Sequence, residues 1–165
     1  MVEIRPFRPE DASAFRDLNE AWITKYFTLE PPDRIVLADP QAEIIARGGH
    51  ILMVWQDETP IGCCALLPKA EPGEYELGKM AVAEHLRGQG IGRRLLEQTL
   101  NLARALGARK IYLGSSTKLP NAVHLYESAG FRHYEPAEPH EYARANVHMV
   151  LELDQMRAQT SGALI

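Results

Sequence analysis

The sequence predicts an α/β fold built on a mixed sheet. Three observations predict it. Short apolar runs of strand character and longer segments of helical spacing follow one another as β-α-α-β-β-β-α-β-α-β-β. The chain has 165 residues, the size of one domain with a sizeable core. Hydrophobic residues make up 45% and charged residues 24%, ordinary globular usage with no low-complexity block or internal repeat. A single domain is expected over residues 1–153, followed by a frayed tail over residues 154–165.

Val2–Arg8 alternates apolar and polar residues and reads as a strand. Pro9-Glu-Asp-Ala opens a helix carrying Phe15, Leu18, Ala21 or Trp22, and Tyr26 at helical spacing, and Pro31-Pro32 is expected to break it. A short helix over Pro40–Arg47 stops at Gly48-Gly49. Ile51–Trp55 and Ile61–Leu67 form a hairpin around Asp57-Glu-Thr-Pro60, and Tyr75–Val82 is the next strand. Ile91–Leu106 is an amphipathic helix with Ile91, Leu95, Leu96, Thr99, Leu102, Ala103 and Leu106 on its apolar face. Lys110–Ser115 is a strand, Asn121–Ala129 a helix ended by Gly130, and Phe131–Tyr134 and Val147–Leu153 are the last strands.

Net charge is −4, from 18 Lys plus Arg against 22 Asp plus Glu, which speaks against a nucleic-acid partner. No apolar run approaches the ~20 residues of a membrane span. Met1-Val-Glu-Ile-Arg lacks a signal peptide's apolar stretch, so a cytoplasmic protein is expected. Cys63 and Cys64 are adjacent; on a strand they face opposite sides and read as buried reduced thiols. The six histidines show no ligand spacing, so no metal is expected. They read mainly as surface residues, His148 being the one placed on an apolar strand.

Arg87-Gly88-Gln89-Gly90-Ile91-Gly92-Arg93 stands between a strand and a helix. Three glycines let the backbone approach a ligand, the helix start adds free N–H groups, and two arginines add charge, which together suit a phosphate. The Gly-Lys-Ser/Thr ending of a P-loop is missing, and a Rossmann fingerprint would need glycine at Arg93.

Glu76-Leu-Gly-Lys-Met-Ala-Val82, then Arg87 to Gly92, then Ala122-Val-His-Leu-Tyr126-Glu-Ser-Ala-Gly130-Phe131 closely resembles the core signature of the GNAT superfamily of acyl-CoA-dependent N-acyltransferases. The resemblance implies a mostly antiparallel sheet of about seven strands with about four helices, splayed between the fourth and fifth strands. It implies acetyl-CoA as co-substrate, with its pyrophosphate on Arg87, Gly88, Gln89, Gly90, Ile91, Gly92 and Arg93. The pantetheine arm would lie along Met80, Ala81 and Val82, with Ser115, Asn121 and Tyr126 nearby. Alternation would set Glu76, Gly78, Met80 and Val82 on one face, with Gly78 as host of a β-bulge frequent in the family. By the same resemblance, Tyr126 is the general acid and Glu76 the candidate base, with Glu74 a weaker one. One departure is Leu119, where many members carry an asparagine; Asn121 either meets the cofactor or caps its helix.

Substrate walls are implied at Trp22–Glu30 and Glu135–Ala145, where Trp22, Tyr26, Phe27, Tyr142 and Arg144 stand out. Arg144 reads either as a clamp for a substrate carboxylate or as a solvated loop residue. The resemblance points to a small-molecule amine acetyltransferase acting on an amino-acid-like or polyamine-like acceptor. A protein N-terminal or lysine acetyltransferase and a non-catalytic acyl-CoA-binding module are the alternatives. A monomer and a homodimer are both compatible with the sequence.

Overall fold

A computed structural model describes residues 1–153; the expected tail at 154–165 lies outside the described residues. Its strands are β1 (Val2–Pro6), β2 (His50–Gln56), β3 (Thr59–Pro68), β4 (Glu74–Val82), β5 (Lys110–Ser115), β6 (Arg132–His133) and β7 (Val147–Glu152). They form one sheet in the order β1-β2-β3-β4-β5-β7-β6. Every neighbouring pair is antiparallel except β4 and β5, which are parallel. The helices are α1 (Ala12–Tyr26), α2 (Pro31–Ala38), α3 (Pro40–Glu43), α4 (Ile91–Ala105) and α5 (Pro120–Ser128). No helix of the described residues is long and apolar enough to cross a membrane.

Helix α2 is one helix more than the sequence pattern separates. Pro31-Pro32 does not merely break α1; it starts a new helix, where proline's missing N–H costs nothing. Glu30 and Asp33 form a capping box there, the Asp33 carboxylate accepting the Glu30 N–H at 2.9 Å. On α1 the buried positions are Phe15, Asn19 and Ile23, while Ala21 is exposed. On α4 the expected face is largely kept, with Leu100 added to it and Leu106 left exposed as the C-cap.

The sheet separates two apolar layers. Phe15, Ile23, Leu37, Met53 and Cys63 pack under α1 and α2, whereas Cys64, Leu95, Leu96, Leu100, Ile111 and Met149 pack under α4. Each large aliphatic side chain so buried contributes roughly 1.5–3 kcal/mol. Adjacent Cys63 and Cys64 fall in different layers, both fully buried and unbridged. Burial pushes the Cys64 thiol up to about 12 and raises Cys63 further still, so neither is a nucleophile.

A bulge shapes β4. Cys63 pairs with Ala81 and Ala65 with Gly78, so Lys79 and Met80 together oppose Cys64. The left-handed residue is Lys79, at φ 50°, not Gly78. Left-handed backbone costs an L-residue about 1–2 kcal/mol, and the buried polar contacts of Lys79 offset it. The bulge reverses the pleat: Leu77 packs in the α4 layer, but Ala81, four residues on, packs in the α1 layer. Glu76 and Gly78 therefore face α1 and α2, while Met80 and Val82 face α4, and the expected common face for the four does not exist.

Candidate active site

The parallel pairing of β4 with β5 covers only Glu74, Tyr75 and Glu76, opposite Lys110, Ile111 and Tyr112. Beyond Glu76 the strands part, and a cleft of about 630 Å³ opens between them. Ala83 N–H donates to Ile61 O on the β3 side. Alternation then aims the N–H groups of Met80 and Val82 the other way, into the cleft. An extended amide-bearing ligand can pair with such an edge.

One end of the cleft is the Gly-rich turn. Gly88 and Gly90 adopt φ of 82° and 81°, a left-handed backbone that glycine takes without strain. Gly90 is the N-cap of α4, so the N–H groups of Ile91, Gly92 and Arg93 begin the helix without acceptors further back in it. Gly92 differs from the other two in lacking a left-handed φ, and a Cβ there would meet nothing closer than Leu125 at 3.7 Å, so the fold does not demand glycine. Its bareness keeps the cleft floor open. Arg87 and Arg93 line this end, bonded to Tyr26 Oη at 3.3 Å and Ser128 Oγ at 3.1 Å.

Tyr126 of α5 lines the middle. Its hydroxyl lies 3.7 Å from Met80 Sδ, and its ring packs edge-on against Phe131. Burial raises its pKa well above the tyrosine range, which keeps the proton on the phenol. Ser115, at the end of β5, and Asn121 also line the wall. Leu119 is the N-cap of α5 without a side-chain cap bond, so Asn121 does not cap the helix and remains free to face the cleft.

The far end is polar. Glu76 meets His140, with Nε2 to Oε2 at 3.2 Å. Trp22, Phe27 and Tyr142 form apolar walls. Asn19, fully buried, accepts the Trp22 indole N–H at 3.2 Å and donates to Phe15 O at 3.0 Å, which fixes the Trp22 ring. Beneath the walls lies an ionic cluster. Asp33 accepts from Arg144 at 2.6 and 2.7 Å and from Lys79 at 2.8 Å; Arg144 also reaches Glu30 at 3.3 Å, and Lys79 donates to Tyr142 Oη at 2.9 Å. Burial alone would raise the Asp33 pKa, but the bonds from Arg144, Lys79 and the Glu30 N–H outweigh it and hold it at about 2. Burial lowers Lys79, opposed by Asp33. Burial also raises Tyr142 above its usual range.

Most of the residues expected at the site come together. Tyr126, Glu76, Met80, Ala81, Val82, Arg87, Gly88, Gly90, Gly92, Arg93, Ser115, Asn121, Trp22, Tyr26, Phe27, Tyr142 and Arg144 all line this cleft. Two do not: Gln89 is exposed on the turn, and the Ile91 side chain is buried in the core under α4. Glu74 is not in the lining either. Arg144 lines the wall, but Asp33 and Glu30 occupy its guanidinium, so it is neither a solvated loop residue nor a free clamp. His124 and His140 line the cleft and His148 does not; Lys79 and Asp33 are site residues that the sequence reading leaves out. The Asp33 signal was present as the capping box Glu30-Pro-Pro-Asp33; Lys79 had none, because a bulge leaves no mark on a lysine.

The sequence pattern of the acetyltransferase (GNAT) family matches residues 12–131, and the chain belongs to that family. It is 31% identical over 103 residues to the uncharacterized N-acetyltransferase YvbK of Bacillus subtilis, an alignment covering 61% of this chain and 66% of that one. The chain thus spans just under two thirds of that relative's length. The fold matches a GNAT-family acetyltransferase from Staphylococcus aureus with a TM-score of 0.83 at 18% identity, covering 93% of this chain and 100% of the other. It also matches yncA from Salmonella typhimurium, solved with its cofactor acetyl-CoA, with a TM-score of 0.73 at 20% identity over 93% and 95% of the two chains.

Proposed function

We propose that this chain transfers the acetyl group of acetyl-CoA to a primary amine of a small molecule. The observation that carries the reading is the continuity of the cleft. One opening between β4 and β5 joins the Gly-rich turn, the free edge of β4, Tyr126 and Glu76. The residues fit the cofactor: the α4 start and Arg87 and Arg93 suit a pyrophosphate, and the N–H of Val82 suits an amide arm, leaving that of Met80 for the thioester. Ser115 and Asn121 flank that arm.

Acetyl-CoA supplies an acyl group activated as a thioester. Glu76 takes the proton of the substrate ammonium, so that the amine nitrogen can form the new C–N bond as the C–S bond breaks. The Met80 N–H donates to the carbonyl oxygen, where negative charge develops. Tyr126 gives its phenolic proton to the departing sulfur, its raised pKa keeping that proton in place until then, and the second proton that the nitrogen sheds as the amide forms restores the phenol. Holding amine and thioester in one cleft removes several kcal/mol of entropic barrier.

The acceptor is an amine of the polyamine-like kind rather than an amino acid. Arg144, the candidate carboxylate clamp, is already paired with Asp33, while Glu76 and Glu141 present negative charge to the cleft. The segment bearing Tyr142 is tied across to α2 by Arg144 and Asp33, which favours a small acceptor over an extended peptide.

A panel of amines, amino acids and peptides incubated with acetyl-CoA, read by free thiol release, tests this. Release with a non-carboxylate amine, falling ~100-fold in Tyr126→Phe, is the expected result. Release only with peptides, or with none of the panel, contradicts it.

A further inference from the structure

We propose that His140 is the positioning residue of Glu76, a role that rests on the reading of Glu76 as the base. The ring is held by its own loop and by three strands. Its Nδ1 accepts the backbone N–H of Tyr142 at 3.1 Å. Its Nε2 faces Glu76 Oε2 on β4 at 3.2 Å. The His148 ring of β7 lies against it, with centroids 5.8 Å apart. On β5 it fills the space left by Gly114, where a Cβ would come within 2.6 Å of Nε2.

These contacts assign the tautomer. A ring nitrogen that accepts an N–H carries no proton, so the proton of His140 sits on Nε2 and is donated to the carboxylate. A doubly protonated ring would have nothing to offer the Tyr142 N–H. His140 therefore orders one carboxylate oxygen without adding a positive charge that would repel a substrate ammonium. The other oxygen is left for the amine or a water that relays its proton.

The segment bearing His140 is itself strapped down. Tyr142, two residues on, is bonded through its hydroxyl to Lys79, and Arg144 is forked onto Asp33. The ionic cluster thus acts at one remove: it fixes the backbone that fixes the imidazole that fixes the base. This gives the buried charges beneath the cleft a purpose beyond stability, which such pairs supply weakly.

Two measurements on the full chain test the proposal. The first is the ¹⁵N shift pattern of the His140 imidazole, which needs no turnover. An Nε2–H tautomer whose Nε2 shift moves in Glu76→Ala supports the pairing, and an Nδ1–H tautomer, or an Nε2 shift that does not respond to Glu76→Ala, overturns it. The second is kinetic, with the acceptor found by thiol release. His140→Ala should lower kcat about tenfold or more, the scale of a lost hydrogen bond to a charged group, with KM for acetyl-CoA unchanged. His140→Gln, whose amide N–H can stand in for Nε2–H, should recover most of the loss. Gly114→Ala, which displaces the ring, should reproduce it. In a Glu76→Gln background His140→Ala should cost nothing more. Equal losses in His140→Ala and His140→Gln, or a further loss in the Glu76→Gln background, overturn the proposal. If wild-type protein acetylates nothing, the proposed activity falls, while the tautomer measurement still decides the pairing.

Discussion

Asp33 carries more of the site than any other single side chain. Its carboxylate caps α2 and accepts from Lys79 and Arg144 while fully buried. Removing it leaves buried Lys79 without a carboxylate and Arg144 with only Glu30, so Asp33→Ala should destabilise the chain by about 3 kcal/mol, measured by denaturant unfolding. The sign of the pH effect follows from the lowered pKa. A carboxyl held at about 2 when folded, and at its ordinary value when unfolded, contributes stability above about pH 4 and loses it as pH falls toward 2. That contribution is about 2 kcal/mol. Acid unfolding of the wild type should steepen across that window, and the step should vanish in Asp33→Ala. Little of this was legible in advance. The Glu30–Asp33 capping box can be read from four consecutive residues, but Asp33 meets Arg144 across 111 positions and Lys79 across 46. Such pairings depend on the folded path of the chain. Arg144 shows the consequence: its residue type suggests a carboxylate clamp, and only the fold reveals that the clamp is already closed on the protein's own acid.

Among the elements, α4 with its leading turn was the most legible and β4 the least. The turn is written in residue types, since glycine at two left-handed positions before an amphipathic helix has few other uses. Gly92 separates folding from function within it. A methyl group there makes only ordinary contact with Leu125, and alanine is the better helix former by ~1 kcal/mol. Gly92→Ala should therefore keep or raise the thermal midpoint while raising KM for acetyl-CoA; a lowered midpoint with unchanged KM would contradict this. In β4, alternation placed Glu76 and Met80 on one face, and the bulge at Lys79 and Met80 separated them. Hydrophobic pattern cannot reveal the shift, because Leu77 and Ala81 are apolar on either side of it. The consequence is functional: the reversal puts the carboxylate of Glu76 toward α1 and α2 and the Met80 side chain toward Tyr126. Likewise Pro31-Pro32 reads equally as the end of α1 and the start of α2, and the two readings differ only in what the next turn packs against.

At the scale of the whole molecule, the sheet of the described residues supplies one continuous scaffold with one break. Six strand pairings are present, and the short parallel one is where the cleft opens. Positive groups gather at the α4 end, with Arg87 and Arg93, and acidic groups at the other, with Glu76 and Glu141. A chain of net charge −4 thus carries local positive charge suited to a polyanionic cofactor, and the proposed amine acceptor would meet Glu76 and Glu141 at the opposite end. The strand and helix order is readable because each element has its own periodicity, and the meeting of its parts at one site follows from the family resemblance; the ionic cluster of Asp33, Lys79 and Arg144 beneath it does not. Calorimetric titration of acetyl-CoA into the full chain tests that central claim most directly. The account predicts saturable one-to-one binding, weakened by added salt as the arginines are screened, with a matching rise in thermal midpoint. Absence of both heat and thermal shift would contradict it.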